Sequence, residues 1–98
     1  MYILIAADGQ LSLEDSDNMR AFSIVEEESG AAATRLAAIA TPAEDQHYWL
    51  DANAVIELSG RGDDQQWLHG FWDMLAQVEA YGYSDMPNKR VKAHVEQA

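Results

Sequence analysis

The sequence predicts an α+β fold in which helices pack on one face of an antiparallel sheet. Three observations favour this class: an apolar strand-like run at residues 2–6, a hairpin pattern over residues 34–51, and an amphipathic helix over residues 64–81. A strand that alternates apolar and polar residues follows at 88–96. The predicted order is strand, helix, strand, strand, helix, strand. This is the order of a ferredoxin-like βαββαβ sandwich, and we expect residues 1–98 to form one α+β domain.

The first strand, YILIA at residues 2–6, is apolar at consecutive positions, as expected for an interior strand that is covered on both faces. Residues 11–28, which follow it, are ambiguous between helix and strand. A cap in the segment SDNM would begin a helix with Ala21 and Phe22 on one face, whereas AFSIV has the composition of a strand. We favour the helix. A strand over residues 20–27 would keep the fold class and change only the topology.

A hairpin is predicted next. Two runs, residues 34–41 and 46–51, flank the segment TPAED, whose proline and acidic residues suit a short connection. In the second run, His47, Trp49 and Asp51 project to one side, because successive side chains of a strand alternate. Asp51 is also the predicted N-cap of a short helix, ANAVIELS, which is expected to end at the glycine that follows it.

The clearest helix covers residues 64–81. At 100° per residue, its apolar side chains gather on one stripe, and this stripe predicts a buried face. The members of the stripe are Trp67, Leu68, Phe71, Met74, Leu75, Val78 and Tyr81. Asp63 is the predicted N-cap, with Gln66 reaching back to it, and Gly82 is the predicted left-handed stop. Trp72 lies at the edge of the stripe and is a candidate contact for a second copy of the chain.

The strand at residues 88–96 has three apolar residues on one side and three polar residues on the other. If it shares a sheet with residues 46–51, the polar sides of the two strands meet. The residues that would then share one face are His47, Trp49, Asp51, Arg90, Lys92 and His94.

This polar face contains the candidate catalytic residues, because histidines beside a carboxylate and an arginine can transfer protons. They are His47, Asp51, Arg90 and His94. The indole of Trp49 adds a surface for a small anionic or aromatic ligand, so Trp49 and Trp72 are the candidate binding residues. The alternative, which we favour over catalysis, is the ordinary solvated face of a sheet with mixed charge.

The composition excludes several classes of function. The net charge is −11, from 17 acidic and 6 basic residues, and such a surface repels both nucleic acid and anionic membranes. The absence of cysteine excludes disulfides and thiolate chemistry. His69 and Asp73 lie one helical turn apart but have no third ligand, so we expect no metal and no cofactor. The acidic run at residues 26–28 is expected to be a solvated turn.

The favoured function is that of a non-catalytic binding or interaction module that works as a homodimer. No catalytic motif occurs, and Trp49 and Trp72 are large aromatics that one small domain is not expected to bury completely. The first apolar run is too short for a signal peptide, so we expect a cytoplasmic protein. The alternative is a small cofactor-independent enzyme with a His/Asp/Arg site on the polar face of the sheet. A cavity enclosing His47 or His94 would favour the enzyme, and a flat wet face would favour the module.

Overall fold

The sheet of this protein has seven strands and carries the three α-helices on one face. The computed structural model describes all residues, 1–98. The strands are β1 (Tyr2–Ile5), β2 (Leu11–Glu14), β3 (Ser23–Glu26), β4 (Ala40–Pro42), β5 (His47–Asp51), β6 (Ser84–Asp85) and β7 (Arg90–Gln97). The helices are α1 (Ala32–Arg35), α2 (Ala52–Ser59) and α3 (Gln65–Val78), and a 3-10 turn, Glu79–Tyr81, follows α3.

The strands are ordered β2-β1-β3-β7-β5-β4, and β6 also pairs with β7. The pairs β1–β3 and β3–β7 are parallel, and the other pairs are antiparallel. The predicted α+β class is confirmed, but the prediction of an antiparallel sheet is wrong because the sheet is mixed. The ferredoxin-like order is not confirmed, since β2 and β3 occupy the segment in which the first helix was predicted.

Residues 11–28 form two strands and not the helix that we favoured. Strand β2 alternates apolar and polar residues and pairs antiparallel with β1, and β3 places the β-branched residues Ile24 and Val25 between β1 and β7. The segment SDNM belongs to a turn, in which the N–H of Asn18 donates to the carbonyl oxygen of Asp15 at 3.0 Å. Pairing with distant strands therefore overrides the local helical signal.

Strand β1 lies between β2 and β3, as predicted for an interior strand. Ile3 and Ile5 are fully buried on one of its faces, whereas Tyr2 and Leu4 on the other face are only half-buried. The predicted cover on both faces is therefore wrong, because all the helices pack on the side of the isoleucines. The outermost strands of the sheet are β2 and β4, and the short strand β6 pairs with β7 alone.

Helix α3 packs its apolar stripe onto the sheet, as predicted. The ring of Trp67 stacks on that of Phe71 with centroids 5.1 Å apart, and its Nε1 donates to the carbonyl oxygen of Ser16 at 2.7 Å. Tyr81 was predicted on the same stripe but is 79% exposed. The α-helix ends at Val78, and the tighter 3-10 turn directs Tyr81 away from the sheet. The buried residues of α3 are Trp67, Phe71, Met74 and Leu75.

The hairpin of β4 and β5 is shorter than predicted, because residues 32–35 form α1 and only residues 40–42 form the first strand. Both predicted caps of α2 are present. Asp51 accepts a hydrogen bond from a backbone N–H of the first turn at 3.1 Å, and Gly60 follows the helix with a φ of +69°.

Helix α3 begins at Gln65, one residue later than a cap at Asp63 predicts. Asp64, and not Asp63, accepts the N–H of Trp67 at 3.0 Å, so the predicted capping box is wrong. The N–H of Trp67 and the guanidinium of Arg61 hold the pKa of Asp64 below its ordinary value. The predicted stop is confirmed, since Gly82 has a φ of +84°.

Glu26 is buried at the end of β3, with 4% of its surface exposed, so the prediction of a solvated turn is wrong at this residue. Its carboxylate accepts hydrogen bonds from the N–H of Gly30 at 2.9 Å, from the N–H of Ala32 at 3.0 Å and from Nε2 of Gln97. Burial alone raises the pKa of Glu26, but these donors outweigh burial and hold the pKa below its ordinary value. The carboxylate thus links β3 to α1 and β7.

Truncation of the stacked aromatics should destabilise the fold severely. We expect Trp67→Ala and Phe71→Ala each to lower the free energy of unfolding by on the order of 3–5 kcal/mol, as is usual for a buried aromatic. Tyr81→Ala is the control and should change it by less than about 0.5 kcal/mol, because Tyr81 is exposed. Denaturant titration measures both. Losses below about 1 kcal/mol for both buried aromatics would contradict the packing of α3.

Glu26→Gln should destabilise the protein in a pH-dependent way. At pH 7 we expect the free energy of unfolding to fall by about 1–3 kcal/mol. The NH₂ group of the glutamine amide cannot accept hydrogen bonds, so backbone N–H donors that face it are left unsatisfied. The pKa of Glu26 is lower in the folded state than in the unfolded state, so its stabilisation is complete above the ordinary value of 4.5. It is lost as the pH falls through the folded-state pKa.

Urea unfolding at pH 7 and at pH values below 4.5 measures this difference between wild type and Glu26→Gln, which should shrink in acid. Glu28→Gln, at an exposed position, is the matched control and should resemble wild type at every pH. If the free energy of unfolding of Glu26→Gln were lower than that of wild type by the same amount at every pH, the ionised carboxylate would not be the stabilising group.

Candidate functional site

The face of the sheet opposite the helices has no helical cover, and we call it the open face. None of its side chains is fully buried, whereas the other face belongs to the hydrophobic core. The strand residues on the open face that concern the site are Tyr2, Leu4, Ser23, Val25, His47, Trp49, Asp51, Arg90, Lys92, His94 and Glu96.

The structure brings the six predicted polar-face residues onto this face, and the register pairs them across β5 and β7. The cross-strand pairs are His47 with His94, Trp49 with Lys92, and Asp51 with Arg90. The alternation of each strand predicted this shared face, provided that the two strands belong to one sheet. The antiparallel pairing of β5 with β7 meets this condition.

Trp49 lies between two cations. The guanidinium carbon of Arg90 is 4.4 Å from the centroid of the indole, and Nζ of Lys92 is 5.3 Å from it. Nζ of Lys92 also lies 5.7 Å from the ring centroid of Tyr83. Cations at these distances from an aromatic face are attracted by its quadrupole. The side chains therefore form a row, Arg90–Trp49–Lys92–Tyr83, which we call the cation–aromatic row.

Each cation of the row is also paired with a carboxylate. Nε of Arg90 is 3.1 Å from Oδ2 of Asp85, and Lys92 forms an ion pair with Glu44. Hydrogen bonds from Asn88 and then from Arg90 hold the pKa of Asp85 below its ordinary value. Only 14% of the Lys92 side chain is exposed. The charges of the row are therefore largely compensated within the protein.

The candidate catalytic residues form two separate pairs. The ring centroids of His47 and His94 are 5.5 Å apart, and Nδ1 of His47 lies 2.9 Å from the carbonyl oxygen of Asp45. Asp51 and Arg90 lie four residues further along the strands, which is about 13 Å at 3.3 Å per residue. Asp51 thus cannot orient either histidine, and its carboxylate already caps α2.

The histidines also lack an enclosure. His94 is exposed and His47 is half-buried, and neither lines one of the five principal cavities. Both imidazoles therefore lie on an open surface and not inside a cavity.

Trp72 lies in the helical layer, away from Trp49. It is half-buried, its ring meets that of Phe71 edge-on at 5.6 Å, and it borders a shallow depression on α3. The two candidate binding residues therefore lie on opposite sides of the sheet, and one contact patch cannot contain both. His69 and Asp73 are exposed on α3, and the chain contains no cluster of three or more His, Cys, Asp or Glu suited to a metal ion.

One feature of the surface had no signal in the sequence. An apolar groove of about 280 Å³ lies beside β7, between β3 and β6. Its lining comes from two loops, one strand and a helix, so no single segment shows a pattern. The alternation of β7 predicts that Val91 and Lys92 lie on opposite faces of the strand. Both nevertheless line the groove, because β3 and β6 pair with different parts of β7 and leave a gap between them.

Comparisons of the chain with protein-family models, with curated proteins and with solved structures find no match. No helix of the fold combines the length and the apolar character needed to cross a membrane.

Trp49 and Arg90 should be energetically coupled. In a double-mutant cycle of Trp49→Leu and Arg90→Met, we expect a coupling of about 0.5–1 kcal/mol in the free energy of unfolding, which is the usual size of a cation–π contact at an exposed site. Urea unfolding of the four proteins measures it. The control cycle pairs Trp49→Leu with Lys89→Met, since Lys89 is exposed and makes no ion pair. Equal couplings in the two cycles would contradict the contact.

Proposed function

We propose that the protein is a non-catalytic binding module that forms a homodimer through the open face of its sheet. The observation that carries the proposal is that a whole sheet face, with half-buried apolar side chains on its central strands, is left without a helical cover. A second layer is the usual way in which such a face becomes buried.

The central strands of the open face support an apolar contact. Leu4 of β1 lies directly beside Val25 of β3, and Tyr2 precedes Leu4 on the same side of β1. All three side chains are half-buried in the single chain. Burial of this area against a second sheet would be favourable by roughly 25 cal/mol per Å² of apolar surface.

The flanks of the face support a self-complementary arrangement. Glu14 on β2 lies on one side of the central strands, and the histidine pair of β5 and β7 lies on the other. These residues are level along the strands, because Glu14 pairs with Tyr2, Tyr2 with Ser23, Ser23 with His94 and His94 with His47. A two-fold axis parallel to the strands and close to β3 lays the β2 side of one copy over the β7 side of the other. Glu14 of each copy then faces the histidine pair of the other at two symmetric places, as a two-fold interface requires.

The enzyme alternative has less support. Asp51 lies about 13 Å along the strand from the histidine pair at 3.3 Å per residue, and the principal cavities enclose neither histidine. General acid–base catalysis requires its groups within hydrogen-bond reach of one substrate atom. The arrangement of the open face favours binding over proton transfer.

Sedimentation at micromolar concentration tests the proposal, and we expect a dimer. Val25→Arg places a charge without a partner at the centre of the proposed interface, which should raise the dissociation constant roughly 100-fold or more. Leu4→Lys should act in the same direction. Trp72→Glu adds a charge to the helical layer and is the matched control, which should leave the dimer intact. Circular dichroism verifies that each variant is folded.

Two results would overturn the proposal. A wild-type chain that stays monomeric to near-millimolar concentration would exclude the dimer. Dissociation by Trp72→Glu, with Val25→Arg and Leu4→Lys still dimeric, would place the interface on the helices and leave the open face without this role.

A further inference from the structure

The groove beside β7 exists because the sheet is interrupted there. Strand β6 pairs with β7 only at Arg90 and Val91, and β3 begins to pair with it at His94. Beyond these strands, the N–H of Lys92 donates to the carbonyl oxygen of Tyr83 at 2.8 Å, and no strand residue is paired with Lys92 or Ala93 on that side of β7. We call this gap the β3–β6 groove.

The lining of the β3–β6 groove is largely apolar, since seven of its nine residues are hydrophobic. Met74 and Val91 are buried core residues, so the deep part of the groove is continuous with the hydrophobic core. Met19 and Met74 have flexible thioether side chains that adapt to the shape of a ligand. The apolar lining consists of Met19, Ala21, Phe22, Met74, Val78, Tyr83 and Val91.

The two remaining lining residues, Arg20 and Lys92, are both basic. This is unusual in a chain with 17 acidic and only 6 basic residues. Lys92 is already paired with Glu44. Arg20 is exposed, and its guanidinium forms no ion pair and no hydrogen bond within the protein. The groove therefore combines an apolar interior with an unpaired guanidinium, which is the group best suited to a carboxylate.

We propose that the β3–β6 groove binds a small amphipathic carboxylate, such as a medium-chain fatty acid. The alkyl chain lies among Met19, Phe22 and Met74, and the carboxylate accepts hydrogen bonds from Arg20. The site belongs to one chain and goes beyond the proposed homodimer, which needs no ligand.

The volume of the groove sets the size of the ligand. At about 30 Å³ for each water of the liquid, the 280 Å³ of the groove corresponds to roughly nine waters. A carboxylate of eight carbons therefore fits with its alkyl chain inside and its charged end at Arg20. A volume this small lies at or below the lower limit for drug-sized ligands, about 300 Å³, so the groove holds only a short alkyl chain.

Calorimetric titration with sodium octanoate tests the site, and octan-1-ol and octylammonium serve as probes with the same chain and no negative charge. We expect octanoate to bind more tightly than either. Arg20→Gln should weaken octanoate about tenfold, as expected for the loss of a charge-assisted hydrogen bond. Binding of octan-1-ol should change little, because it makes no use of the guanidinium charge.

Arg35→Gln is the matched control, because Arg35 is also exposed and unpaired but lines a different cavity. It should leave octanoate affinity unchanged. Ala21→Phe fills the groove from its exposed rim and should abolish binding of both octanoate and octan-1-ol. Ala21 is exposed, so this variant is expected to stay folded, which circular dichroism verifies.

Three outcomes would overturn the proposal. The first is no octanoate binding at millimolar concentration. The second is binding that Arg20→Gln and Arg35→Gln weaken equally, which would indicate nonspecific attraction. The third is that Ala21→Phe loses the dimer while the wild type does not bind octanoate, which would indicate that the groove is a contact between two copies of the chain. Sedimentation of Arg20→Gln separates this site from the proposed interface, since the variant should lose octanoate affinity and remain dimeric.

Discussion

The structure depends on strand β7, because β7 is the strand that joins the two halves of the sheet. It pairs with β3 and β6 on one side and with β5 on the other. Its alternation sends three apolar side chains into the core and directs Arg90, Lys92 and His94 to the open face. The core, the cation–aromatic row and the β3–β6 groove all contain residues of this one strand. Its register with β5 therefore determines which side chains meet on the open face.

The parts of the fold that the sequence predicted are those encoded within one segment. The period of α3, the caps of α2 and the alternation of β7 are local patterns, and the structure contains them. The mixed sheet was not predictable, because the pairing of β3 with β1 and β7 joins residues far apart in the chain. Glu26 was missed because its donors come from three different elements: the turn that follows β3, the first residue of α1, and residue 97 at the far end of β7.

The candidate site shows the same limit. The sequence placed six residues on one face, and the register confirms that placement. The alternation of a strand predicts the face on which a side chain lies, but it does not predict contacts with loop residues. The ion pair of Lys92 with Glu44 and the contact of Lys92 with Tyr83 were therefore not predictable. Contacts from Arg90 and Lys92 also restrict the positions open to the Trp49 ring, and a side chain that is already restricted loses less conformational entropy on binding.

The position of β7 in the chain has a consequence for synthesis. A ribosome makes every other strand before β7, so β3 and β5 must wait for residues 90–97 with unpaired edges. At about 5–20 residues per second the wait is roughly 2–14 s, during which exposed strand edges invite pairing with other nascent chains. The pairing of β3 with β7 also joins residues about 70 positions apart, a separation that slows folding because the loop must close first. The strong negative charge keeps incomplete chains apart while they await their central strand.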